Sequence, residues 1–280
     1  MPDDRLPASQ AFYLPLRGQR RFCIYHPPSD AYAVGESILY VHPFGEEMNK
    51  ARRTAALASR ALARNGWSVL QLDLAGCGDS DGEFGGATWR RWIDDVAEGA
   101  RWLEERSGGA PWLWGLRTGC LVAADAARAA SRPFDLLFWQ PVLSGKQFLL
   151  HILRMRLAGA LLSPSDRTRN GTQALRAELA QGRPVQIAGY DLSPGLALGL
   201  EAAELAPTSG TARVGWLDVS ATGDPALAPA SQARVDAWRR AGHRVEARVV
   251  TGEPFWQTQE IAECRALIDA TLAALAALRT

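Results

Sequence analysis

Apolar runs of strand length alternate with stretches of helical periodicity along most of this chain. That alternation constrains the fold more than any single motif does. SILYVHPF (37–44), WSVLQLDL (67–74), PWLWG (111–115), FDLLFWQPV (134–142), RVGWLDVS (213–220) and RVEARVV (244–250) read as strands, and residues 12–25 add strand character near the start. NKARRTAALASRALARNGW (49–67), TWRRWIDDVAEGARWLEER (88–106), TGCLVAADAARAA (118–130), SQARVDAWRRAGH (231–243) and the terminal IAECRALIDATLAALAAL read as helices. The first of these stops at Asn65-Gly66, a C-terminal signal. Strands that are apolar on both faces and alternate with helices belong in a mostly parallel sheet flanked by helices, an α/β fold. Ligands in such folds bind at the carboxyl ends of the strands. The loops to inspect are therefore HPFGEE, AGCGDSDG, GLRTG and QPVLSGK.

The rhythm breaks between about 146 and 212. FLLHILRMRLAGALL predicts a strongly apolar helix, SPSDRTRNGT a polar linker, and RPVQIAGYDLSPGLALGLEAAEL a short strand and another helix. We expect a single domain over 1–280, with a core of about 1–145 and 213–280 and a cap inserted at about 146–212. An apolar content of 47% is ample for a large core. Lys+Arg is 31 and Asp+Glu 30, a net charge of +1, so charge gives no reason to expect a nucleic-acid partner or an anionic membrane. The four cysteines show no C-x-x-C spacing, which speaks against a disulfide framework or a zinc site. MPDDRLPASQ lacks the basic and apolar regions of a signal peptide, and no apolar run approaches the roughly 20 residues of a membrane span. The expectation is a soluble cytoplasmic protein with free thiols and no metal or cofactor.

PWLWGLRTGCLVAADAA (111–127) reads as a buried strand, a tight turn and a helix. The loops around it complete a pattern that resembles the α/β-hydrolase fold over nearly the whole chain. HPFGEEMNK falls where that family keeps its oxyanion loop, and DLAGCGDSDGE matches its D-x-x-G-x-G-x-S loop. Residues 111–127 match its nucleophile elbow, and Gly223-Asp224-Pro225 its acid position. The family writes the elbow G-x-S-x-G. Here it reads Gly115-Leu116-Arg117-Thr118-Gly119. A guanidinium stays protonated and has no atom with which to attack a carbonyl, so Arg117 cannot replace the serine of a Ser-His-Asp triad. The family's histidine belongs in the loop after the last strand, but TGEPFWQTQE contains none. More narrowly, VHPFGEEMNKARR, LDLAGCGDSDGEF, LWGLRTG, AGYDLSP and GEPFWQTQEI resemble the exosortase A system-associated hydrolase 2 subgroup. That subgroup occurs in bacteria with exosortase sorting and exopolysaccharide export loci. The resemblance implies a hydrolase with an arginine elbow and supplies no substrate.

The candidate catalytic residues are Arg117, Glu253, His42 and Asp224. Arg117 starts a helix, where N–H groups favour anions, and its planar fork suits a carboxylate or phosphate. The competing reading is an ion pair with Glu253, Glu46 or Glu47. Glu253 stands in the base loop, as a general base on water or as the partner that neutralises Arg117. His42 is a relocated base, a hydrogen-bond donor to substrate, or a residue that structures its loop. Phe44, Glu46, Glu47, Leu116, Thr118, Phe255 and Trp256 are the expected ligand contacts. Cys120 reads as a buried structural thiol, and Cys77 as the more reachable one. Two functions fit. One is an enzyme acting on an ester, thioester or acyl group. The other is a non-catalytic homologue that binds a small anionic or acyl ligand or a protein partner. The apolar face of FLLHILRMRLAGALL leaves room for a homodimer.

Overall fold

The computed structural model describes residues 8–29, 35–161 and 171–279. Most of the expected linker SPSDRTRNGT, and the first residues of MPDDRLPASQ, lie outside the described residues. The main sheet has eight strands: β1 (Gln10–Leu16), β2 (Gln19–His26), β3 (Ser37–Val41), β4 (Ser68–Leu72), β5 (Trp112–Leu116), β6 (Leu136–Trp139), β9 (Arg213–Ser220) and β10 (Arg244–Thr251). Their order is β1-β2-β4-β3-β5-β6-β9-β10. The pairs β1–β2 and β2–β4 are antiparallel, and all the others are parallel. This is the α/β-hydrolase arrangement.

The helices are α1 (Glu46–Arg64), α2 (Trp89–Ser107), α3 (Thr118–Ala129), α4 (Gly145–Leu161), α5 (Thr172–Ala180), α6 (Pro194–Ala202), α7 (Pro229–Arg240) and α8 (Arg265–Arg279). Side-chain alternation divides each strand between two cores. From β3, Leu39 and Val41 pack with Val96 of α2 and Leu121 of α3, while Ile38 and Tyr40 pack with Ala55 of α1 and Leu267 of α8. All five residues of β3 are buried, as a strand covered on both faces requires.

Three local differences from the sequence reading bear on the site. Residues 12–25 fold as a hairpin, turning at Arg17-Gly18, both with positive φ (49° and 79°). Helix α1 begins at Glu46, three residues before the expected start. Glu46 and Glu47 therefore sit in its first turn, where the positive end of the helix favours acids. Between β6 and β9, helix α5 was not anticipated. The expected short strand is a hairpin of β7 (Val185–Ile187) and β8 (Tyr190–Leu192), turning at Ala188-Gly189. This inserted segment docks closely on α2: a Cβ on Gly199 of α6 would lie 2.0 Å from the Cβ of Trp89.

Candidate functional site

Arg117 is the one residue between the end of β5 and the start of α3, and it holds φ 54° and ψ −119°. Positive φ on a residue with a side chain is strained backbone, costing of order 1–3 kcal/mol. Hydrogen bonds over-determine it. Its N–H donates to Trp139 O (3.0 Å), and its C=O accepts from Cys120 N (3.1 Å) and Val142 N (3.3 Å). The flanking glycines make the turn sterically feasible. A Cβ on Gly115 would meet the Cys120 backbone at 2.5 Å, and one on Gly119 would meet Val41 O at 2.2 Å.

The Arg117 guanidinium donates through Nε to Glu47 Oε1 at 3.1 Å and through Nη1 to Gln140 O at 3.5 Å. It lies 5.5 Å from the centre of the Trp256 ring and 5.9 Å from that of Phe148, within cation–π reach. Burial raises the Glu47 carboxyl above the usual range, and the opposing charge of Arg117 offsets this only in part. Its second oxygen, Oε2, is buried with no hydrogen-bond partner among the described residues.

This pair forms one wall of a cavity of about 300 Å³. Most of the remaining wall is apolar, including Phe44, Phe84, Phe148, Ile152, Met155 and Ile187. The polar lining includes Lys50, His151 and Tyr190. The Tyr190 hydroxyl donates to Glu46 Oε1 (2.9 Å) and accepts from Asn49 Nδ2 (3.0 Å), tying the β7–β8 hairpin to α1. Lys50 Nζ donates to Thr258 O and Gln259 O, which ties α1 to the loop carrying Trp256. The cavity therefore forms where the β3–α1 loop, the elbow, the loop after β10 and the inserted segment meet. An apolar hollow with a few convergent polar groups is the usual form of a small-molecule site.

The structure brings Arg117, Phe44, Glu46, Glu47 and Trp256 together at this cavity. Other expected residues fall elsewhere. Glu253 is exposed, and among the described residues its carboxylate has no hydrogen bond or ion pair; Arg117 pairs with Glu47 instead. The loop after β10 turns tightly through Phe255 N to Glu253 O (2.8 Å), so it is Trp256 that lines the cavity. His42 is buried with both ring nitrogens engaged. Nδ1 donates to Pro43 O (2.5 Å), and Nε2 accepts from Leu74 N (3.0 Å). Burial lowers its pKa. It therefore joins the β3–α1 loop to the loop after β4 and has no nitrogen free for a reacting group. Asp224 is exposed, and its carboxylate accepts from Ala226 N (2.9 Å), without a histidine partner.

Leu116 and Phe255 are fully buried in the core facing α1 and α8, so neither contacts the cavity. Thr118 is buried too, its hydroxyl without a partner among the described residues. Cys77 is buried rather than reachable, and burial pushes its thiol up to about 12. Several residues of the site were not expected from the sequence, among them Lys50, Phe148 and Tyr190 of the cavity lining and, most consequentially, Gln140 and His151. Gln140, at φ 41°, contacts Arg117 through its carbonyl and accepts Val219 N at its side chain (2.6 Å). His151 comes from α4, and a polar residue within a strongly apolar helix was the available signal. Among the described residues, no group of three His, Cys, Asp or Glu side chains is placed to hold a metal, and no helix is long and apolar enough to cross a membrane.

The model of the family described as serine aminopeptidase, S33, matches residues 34–191. Among solved structures, a lipase in its open form superposes with a TM-score of 0.66 at 17% identity, covering 97% of this chain and 98% of that one. Est1E from Butyrivibrio proteoclasticus with bound ferulic acid gives 0.63 at 15% identity, covering 96% and 97%. A Xanthomonas campestris member of the α/β serine hydrolases, described as lacking a lid, gives 0.56 at 17% identity, covering 97% and 94%. At these identities the likeness is one of fold. No curated protein matches the chain.

Proposed function

Because the chain belongs to the serine aminopeptidase S33 family of α/β-hydrolases, we propose that it hydrolyses an ester, thioester or other acyl bond at a site built around Arg117 in place of a serine. The observation that carries this reading is the Arg117–Glu47 pair. The backbone position that presents a nucleophile in this fold presents a guanidinium to an apolar cavity of about 300 Å³. Glu47 holds one edge of the fork, leaving Nη2 for a carbonyl oxygen. A fixed cation facing a developing oxyanion in an apolar cavity stabilises the transition state more than the ground state, and such donors are worth about 10²–10³ in rate. With no serine or cysteine at the elbow, the attacking oxygen is that of water. Glu47 orients Arg117, and the apolar wall takes the acyl chain or ring. The segment between β6 and β9 serves as the cap that excludes bulk water.

The motif resemblance supports a place for the protein in the cytoplasm of a bacterium with an exosortase and exopolysaccharide system, its substrate an acyl group handled there. The test is a panel of p-nitrophenyl esters and acyl thioesters of increasing chain length, with wild type and Arg117→Ala side by side. The expected result is turnover that improves with apolar acyl groups and falls at least about a hundredfold in Arg117→Ala. Turnover unchanged by the substitution removes Arg117 from the chemistry. Absence of turnover across the panel removes the hydrolase reading.

A further inference from the structure

Direct attack by water needs a group to take its proton, and the two bases expected from the sequence are not at the cavity. We infer that His151, on the inserted helix α4, is the general base and acid of this site, an inference that rests on the hydrolase reading above. Three observations lead there. Phe148, His151, Ile152 and Met155 all line the cavity, and their spacing of three, four and seven residues makes them one face of α4. Among the described cavity residues, His151 is the only imidazole. Nothing in the fold uses its ring: among the described residues neither nitrogen has a hydrogen bond, whereas His26, His42 and His243 all have them.

The other titratable groups facing the cavity each have a partner, Glu47 through Oε1 alone, its Oε2 being without one among the described residues. From α1, Glu46 accepts from Tyr190, Glu47 from Arg117, and Lys50 donates to two backbone carbonyls. Tyr190 of β8 is held between Glu46 and Asn49. Lys146, Arg154 and Arg156 lie on α4 itself, and Arg156 Nε donates to Gln186 O. His151 is near enough to Glu47 for a positive charge on its ring to favour the ionised carboxylate. The Glu47 carboxylate would thus help to hold the imidazolium that forms during the reaction.

The step balances without a co-reactant. A ring nitrogen of neutral His151 takes a proton from water while the water oxygen bonds to the acyl carbon. The carbonyl π pair moves onto oxygen, facing Arg117. The bond from the acyl carbon to the leaving oxygen or sulfur then breaks, and the leaving group takes the proton from His151. The products are a carboxylic acid and an alcohol or thiol, with His151 neutral again.

The experiment uses the best substrate of the ester and thioester panel with wild type, His151→Ala and Arg117→Ala. His151 is solvent-exposed, so its removal leaves the core intact. General acid–base catalysis contributes roughly 10²–10⁴ in rate, so kcat/KM should fall about a hundredfold or more in His151→Ala. The pH profile of kcat/KM should differ between wild type and His151→Ala, as loss of the general base requires. Free imidazole added to His151→Ala should restore part of the rate, which a purely structural role would not allow. If His151→Ala keeps its rate and pH profile while Arg117→Ala is inactive, the assignment of His151 fails and the hydrolase reading stands. If wild type turns over nothing, both fail together.

Discussion

The backbone at residue 117 takes a left-handed conformation with φ 54°. Glycine is the residue that adopts positive φ without strain, yet an arginine holds it there. Strain of that kind persists where surrounding contacts over-determine it, as the three backbone hydrogen bonds at Arg117 do. His42 shows the opposite case, a residue of catalytic type used to hold two loops together. Its ring is buried and neutral, with its pKa lowered by burial. The unfolded chain therefore takes up a proton as pH falls through about 6.5, while the folded protein resists until the lower folded value. The stability His42 confers is thus present above about pH 6.5 and lost as pH falls through the folded value. Burial lowers His26 and His243 in the same direction, while the raised carboxyls of Glu47, Asp95 and Asp218 act in the opposite one. The contribution of His42 therefore shows in a difference. In urea titrations at pH 7.5 and 5.5, His42→Gln should be less stable than wild type at the higher pH, by about 1–3 kcal/mol. The gap should narrow at the lower pH; parallel behaviour at both would show that His42 is not held neutral.

At the scale of elements, the inserted segment and the helices beneath it set the shape of the cavity. Gly199 of α6 lies against Trp89 of α2, and the Trp89 indole donates to Asp125 of α3 (2.7 Å), so α6 rests on a ring that is itself fixed. A methyl group on Gly199 has no room, and α6 and the β8 strand before it must shift outward. We expect Gly199→Ala to keep the sheet, seen as an unchanged far-UV spectrum, while KM for an apolar ester rises several-fold. An unchanged KM would mean that the docking of α6 does not shape the cavity.

The order of the core strands and helices, though not α5 or the β7–β8 hairpin, was readable in the sequence because both faces of each parallel strand are apolar and both glycines of the elbow are kept. The pairing around Arg117 was not. Glu46, Glu47 and Glu253 were chemically equivalent candidates. The choice depended on α1 beginning at Glu46 and on the loop after β10 turning so that Trp256, not Glu253, reaches the cavity. His151 was hidden for a related reason: only the docking of α4 shows which of its faces meets the elbow.

At the scale of the whole molecule, a hydrolase frame keeps its sheet, its elbow and its glycines, while the elbow presents a cation. Thiols do not offer a substitute nucleophile. All four cysteines are free and buried, and burial raises each of them, Cys23 and Cys77 to about 12. Asp224 is exposed, and its carboxylate accepts from Ala226 N rather than holding a histidine. The proposed function therefore entails hydrolysis by water in a single displacement, with no acyl-enzyme. The most direct test is the intact mass of the protein, acid-quenched during steady turnover of its best ester or thioester. Direct hydrolysis by water predicts continuing product formation with the protein mass unchanged. A protein heavier by the mass of the acyl group would contradict it and would place a nucleophile in the site that Arg117 is argued to have replaced.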